Sequence, residues 1–256
     1  MAEYIVSSGQ VSSGIILNNA ETMTVLDGGT ATITTVNSEG IMHVSSGGFA
    51  DSTTVNSRGS MYVSSDGTAD STTVNSGGRL YVSSGGIADH TTVNSNGSMY
   101  ILSGGTANSA TADTGACIRI SSGATATAIV ENGGYVYVAN SATVSFVENT
   151  FSGCVLSRAS ATVHSGTTAI DATVKDWAFL YVSSGGIVNS ATIDVDGIIS
   201  VLGGTVNSVT VNADGSMHIR DGGRHHHDRR RLPACLQRGY GDEYRVDALR
   251  RICQCL

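Results

Sequence analysis

Proline occurs once in these 256 residues, tryptophan once and phenylalanine four times, and only 14% of the chain is charged. Such scarce charge, combined with valines at regular spacing, argues against intrinsic disorder, which needs high charge and few apolar anchors. No run of 18 or more apolar residues occurs, so no helix of this chain is expected to span a membrane. A basic segment followed by an apolar one is also missing at the start. Met1-Ala2-Glu3-Tyr4 runs straight into Ile5-Val6-Ser7-Ser8-Gly9, and no ordinary secretory signal is expected. Cysteine is sparse and odd in number. Cys117 and Cys154 have no evident partner, and the other three fall after residue 223, so no disulfide framework is implied.

What is abundant points one way. Gly (32 residues), Ser, Thr, Val and Ala dominate, a mixture poor in helix formers and rich in β-branched and turn residues. Charge is unevenly placed. Residues 1–223 hold 6 Lys or Arg against 17 Asp or Glu, a net of −11, and residues 224–256 hold 8 against 4, a net of +4. So acidic a main body is a poor match for nucleic acid, whose binding requires neutralised phosphates.

The chain repeats. Thr73–Thr91 reads T-V-N-S-G-G-R-L-Y-V-S-S-G-G-I-A-D-H-T, and Thr54–Thr72 follows the same template. The last Val or Ile of the apolar stretch falls at Val6, Val25, Val44, Val63, Val82, Ile101 and Ile120, always 19 apart. It continues at Val138, Val163, Val182, Val201 and Ile219. A second ruler runs through Leu17, Val36, Val55, Val74, Val93, Ala112, Val130, Val155, Val174, Ile193 and Val211. Both rulers jump by 25 at one place, which predicts an insertion near 139–153.

Within a unit the alternation has period two, so Leu80 and Val82 face inward and Tyr81 outward. Short strands with turns between them cannot bury a face alone, but stacked coils can. The expected fold is all-β: a parallel β-solenoid (β-helix) of about 12 coils with a period of 18–19 residues. At about 4.8 Å per coil it would be a rod about 55 Å long. Glycines are expected to turn the chain at Gly85-Gly86 and its equivalents. Gly40, Gly59, Gly78, Gly97, Gly197 and Gly215 are expected at a second turn, where φ is positive.

Stacking places like on like. Asn37, Asn56, Asn75 and Asn94 should form an amide column bonded along the stack. Asp51, Asp70, Asp89 and Asn108 should form another, more simply a solvated turn than a calcium array, since the calcium-binding nonapeptide of other β-helices is missing. No metal site, cofactor or catalytic residue is assigned. Tyr62, Tyr81 and Tyr100 recur at the outward position, a candidate contact stripe for sugar rings or another rod.

Val74–Ala88, V-N-S-G-G-R-L-Y-V-S-S-G-G-I-A, resembles the 19-residue repeat of AIDA-type autotransporter adhesins, over roughly residues 1–223. The resemblance implies a secreted β-helical passenger serving adhesion, autoaggregation and biofilm formation at the cell surface. Its partners would be host or bacterial cell-surface ligands, or further copies of itself. The passenger would be carried out by an outer-membrane β-barrel whose alternating strands are not seen in this sequence. The resemblance also implies modification of turn residues by a dedicated heptosyltransferase, with Ser45, Ser46, Ser64, Ser65, Ser83, Ser84, Ser183 and Ser184 as candidates.

Two alternatives stand beside this one. A β-helical carbohydrate-active enzyme would cluster acids in a cleft, whereas residues 139–153 carry one, Glu148. A truncated product without selected function would still fold as coils. Residues 224–256 form a separate tail containing the only proline and three cysteines. His225, His226, His227 and Asp228 could bind metal, Cys253 and Cys255 could form a thiol site, and the arginines could meet acidic surfaces. A frameshift is the favoured explanation: displaced by one base, the codons from Cys235 onward permit V-x-S-G-G-T-A-T-N-T, the missing repeat.

Overall fold

A coil of 19 residues brings few side chains to its own interior. In the coil around Leu80 the fully buried ones are Leu80, Val82, Ala88 and Val93, with Thr91 beside them. Ordering 19 backbones costs on the order of 20–40 kcal/mol. Burial of three large apolar side chains stabilises by about 1.5–3 kcal/mol each, so an isolated coil cannot hold itself together. Stacking supplies the remainder, and the computed structural model shows it throughout the residues it describes, 2–220 together with the backbone of Tyr244–Arg245.

The chain divides into two compact units, Met1–Val147 and Glu148–Leu256. In the first, each coil has three strands, as in Arg79–Val82, Ile87–Asp89 and Thr92–Val93. The four-residue strands form one eight-stranded sheet from Glu3–Val6 to Tyr135–Val138, here called the long face. Its pairing is parallel and in register at a step of 19, with Tyr62 opposite Tyr81 and Tyr81 opposite Tyr100. Strands equivalent to Ile87–Asp89 form a second face and those equivalent to Thr92–Val93 a third. The second unit repeats the plan with four long strands, Ser160–Val163, Phe179–Ser183, Ile198–Leu202 and Ser216–Ile219. Eight and four strands account for every position of the first ruler. The fold is the expected all-β parallel solenoid.

The second ruler misreads two positions. Ala112 pairs with Glu131, not Val130, and Leu156 pairs with Val174. Glu131 and Leu156 are fully buried, whereas Val155 is 52% exposed. Parity along the strand decides which side faces in, and here it overrides residue type.

The stretch 139–153 contains two strands of second-face type. Thr143–Phe146 extends the first unit's second face by pairing with Thr125–Asn132. Asn149–Ser152 opens the second unit's corresponding face by pairing with Thr167–Ile170. The stretch thus gives each unit one further strand of that face.

Glycine has a different role from the one expected at Gly40, Gly59, Gly78, Gly97, Gly197 and Gly215. Positive φ belongs to the residue before each, such as Asn96 (60°) and Arg58 (61°). Gly97 is required because a Cβ there would lie 2.6 Å from the Val74 carbonyl oxygen of the preceding coil. Close stacking of backbones, rather than φ, selects glycine there. The corner between second and third faces also has positive φ, at Ser52, Ser71, His90 and Ser109, with no glycine to signal it.

The Arg/His/Cys tail assignments, including His225, His226, His227, Asp228, Cys253 and Cys255, lie outside the described residues. So does the frameshift reading.

Two substitutions separate these effects. Gly97→Ala must push the Val74 carbonyl aside and is expected to destabilise by about 1–3 kcal/mol. Thr91→Val is expected to be neutral or stabilising by about 1 kcal/mol, because the buried Thr91 hydroxyl has no hydrogen-bond partner. Thermal unfolding followed by circular dichroism checks both, and the opposite order of melting temperatures would contradict the packing described.

Candidate functional site

Several outward columns of the first unit repeat one residue type over three or four successive coils. On the long face the outward position carries His43, Tyr62, Tyr81 and Tyr100 in consecutive coils. Their rings stack: His43 on Tyr62 at 5.1 Å, Tyr62 on Tyr81 at 4.9 Å and Tyr81 on Tyr100 at 4.9 Å, with planes within 18° of parallel. Arg119 follows in register, its guanidinium carbon 5.9 Å from the Tyr137 ring centre. Planar groups therefore run from His43 to Tyr137, and the candidate stripe Tyr62, Tyr81 and Tyr100 is its middle. His43, Arg119 and Tyr137 share this outward position and were not part of the candidate stripe; their 18–19-residue spacing was the available signal.

Burial raises the Tyr81 pKa, opposed by Arg79 and reinforced by Tyr100 and Tyr62, and it lowers that of His43. The Tyr81 phenol thus remains a hydroxyl donor at neutral pH, and desolvation disfavours the charged form of the imidazole. From Thr22 to Val138 the long-face strands contain no Asp or Glu, and they carry Arg79 and Arg119.

The second face carries the opposite charge. Asp51, Asp70 and Asp89 stand in one column, followed by Asn108. Asp51 Oδ1 accepts from Ser52 Oγ (3.1 Å), Asp70 Oδ1 from the Ser71 amide (2.8 Å) and Asp89 Oδ1 from Asn108 Nδ2 (2.7 Å). His90, at the corner, places Nδ1 2.8 Å from Asp70 Oδ1. That hydrogen bond and then the Asp70 charge raise the His90 pKa, opposed by burial and helped least by Asp89. Among the described residues no group of three or more His, Cys, Asp or Glu is arranged to hold a metal ion.

Beyond the third face the amide column is continuous. Asn37, Asn56, Asn75 and Asn94 each donate from Nδ2 to the preceding Oδ1, starting from Asn18, at 2.7–2.9 Å. Each amide uses its donor upward and its acceptor downward, which ties coil to coil outside the core.

The serine candidates sit on the ridge between long and second faces and divide into two sets. Ser46, Ser65, Ser84 and Ser184 are exposed; Ser45, Ser64, Ser83 and Ser183 are half-buried at the strand end. A second set of exposed serines, Ser38, Ser57, Ser76 and Ser95, lines the ridge that follows the third face. Sequence reading missed these, although the N-S-x-G turn marks them at the same period.

A family profile described as "Adhesin of bacterial autotransporter system, probable stalk" matches residues 3–59, 43–78 and 65–116. Among solved structures, the chain is similar to the crystal structure of a TibC-catalysed, hyper-glycosylated fragment of TibA. The two are 32% identical with a TM-score of 0.51, covering 86% of this chain and 92% of that one. No curated protein matches it in sequence.

His90 reports the local electrostatics of the second face. Its folded pKa is raised, so the pair with Asp70 contributes stability below the unfolded value near 6.5, lost as pH rises through the folded one. In an NMR titration His90 is expected to titrate above an ordinary histidine, and Asp70→Asn to bring it down. An identical pKa in both proteins would contradict the pairing.

Proposed function

This chain belongs to the AIDA family of bacterial autotransporter adhesins, and we propose that it is a non-catalytic stretch of passenger making contacts at the cell surface through its repeated outward columns. The carrying observation is that the same tyrosine, aspartate, asparagine or serine recurs at one angular position through successive coils. A surface of that kind presents many weak contacts in series, so avidity rather than one tight pocket supplies attachment. A carbohydrate-processing β-helix needs two carboxylates across a scissile bond. Asp51, Asp70 and Asp89 instead stand along the stack on successive strands of one face. The partners fitting this surface are cell-surface ligands and further copies of the chain.

The serine ridge is the second element of the proposal. With the TibA fragment as precedent for glycosylation on a similar solenoid, the exposed Ser46, Ser65, Ser84 and Ser184 are the preferred acceptors. Half-buried Ser45, Ser64, Ser83 and Ser183 offer a transferase less access. Sugars on this ridge would project between the tyrosine and aspartate columns.

Beads coated with the full chain are expected to clump, or to adhere to cell layers, above uncoated beads; behaviour indistinguishable from bare beads would sink the adhesive reading. Co-expression with TibC followed by peptide mass spectrometry is expected to find sugar on the exposed set before the half-buried set. An unmodified chain, or sugar confined to the half-buried set, would contradict the assignment of acceptors.

A further inference from the structure

The tyrosine and aspartate columns of the first unit are built by the same repeat. Tyr62, Tyr81 and Tyr100 advance one coil at a time on the long face, and Asp51, Asp70 and Asp89 do the same on the second. Any spacing of one is therefore the spacing of the other. Three phenol rings with centres 4.9 Å apart match three carboxylates on the same period.

Chemistry agrees with the geometry. The phenols are donors, and Arg79 and Arg119 flank them on strands without an acid from Thr22 to Val138. The second-face strands Phe49–Asp51, Thr68–Asp70 and Ile87–Asp89 carry no Lys or Arg. The hydrogen bonds that Ser52, Ser71, His90 and Asn108 give these aspartates all go to Oδ1, and Oδ2 remains an acceptor.

We propose that the long face of one copy docks on the second face of another, with Tyr62, Tyr81 and Tyr100 donating to Asp51, Asp70 and Asp89. This rests on the reading of the chain as an adhesin that associates with itself, and it names the surfaces. The two faces lie on different sides of the coil, so the contact is heterologous. Each copy keeps one unused face of either kind, and assembly is open-ended. Individual exposed contacts are weak, and holding three in register at once gives the association its strength. A one-coil slip still leaves two of three pairs in place, so the assembly tolerates variation in axial position. Added salt weakens the contribution of Arg79 and Arg119.

Sedimentation velocity on the full chain tests this, with two triple variants: Tyr62→Phe/Tyr81→Phe/Tyr100→Phe, and Asp51→Asn/Asp70→Asn/Asp89→Asn. The wild type is expected to form species that grow with concentration. Each variant alone is expected to lose association, by about tenfold for each hydroxyl removed. An equimolar mixture is expected to form dimers and stop there, since the tyrosine variant keeps its aspartates and the aspartate variant keeps its phenols. If the wild type associates and both variants associate equally well, the surfaces are wrongly assigned while the self-association reading survives. Variants that stay monomeric in the mixture too would overturn the pairing of these two faces. A wild type monomeric at every concentration overturns the proposal and the self-association reading together, leaving adhesion to other surfaces to the bead assay. Phe keeps the stacked rings, and circular dichroism verifies folding. Should a triple variant fail to fold, Tyr81→Phe and Asp70→Asn carry the same mixing test with smaller shifts.

Discussion

Parallel hydrogen bonding between a strand and its counterpart one coil away is the constraint from which the first unit follows. Val82 extends the stack beside Val63, and Ile101 beside Val82, each in register over whole strands. Because neighbours are sequence equivalents, every side chain must tolerate a near copy of itself about 4.8 Å away. Inside, that requirement favours Met, Leu, Val and Ala in columns. Outside, it favours groups that can bond or stack with themselves: amides along Asn37 to Asn94, rings along His43 to Tyr100. The aspartate column satisfies it less directly, and its members draw on Ser52, Ser71, His90 and Asn108.

The same constraint explains what could be read from the residues and what could not. Period and strand order were legible because apolar letters recur at a step that stacking enforces, and the long-face ruler from Val6 to Ile219 matches the strands in both units. The shorter third-face strands gave a poorer signal. Val130 and Val155 look like core residues by type, yet alternation turns them away and puts Glu131 and Leu156 inside. Glycine was legible as a turn marker but misleading in cause. Approach of the next backbone selects Gly97, and the left-handed φ falls on Asn96. The corner at Ser52, Ser71 and His90 had no glycine or proline to announce it.

Of the candidate surface, Tyr62, Tyr81 and Tyr100 were legible as an outward column, and their stacking follows from register. The partition of serines was not, since Ser83 and Ser84 are adjacent letters and only the strand end distinguishes them. Their position between the two charged faces links the two halves of the functional account. On the proposals made above, a bulky sugar on Ser65 or Ser84 would stand beside both the Tyr62–Tyr81 edge and the Asp70–Asp89 edge, and modification and side-by-side association would compete for one strip of surface.

In-register stacking at one coil per repeat is the claim on which all of this depends, and pulsed electron resonance measures it directly. In a full chain whose five native cysteines are replaced by serine or alanine, nitroxides are attached through Cys substitutions at equivalent ridge positions. The pairs are Ser46 with Ser122 and Ser8 with Ser122, four and six coils apart. The mean distances should be about 19 Å and about 29 Å, differing by two coil rises of about 4.8 Å each. Equal distances for the two pairs, or a difference far from 10 Å, would contradict the stacked, in-register solenoid.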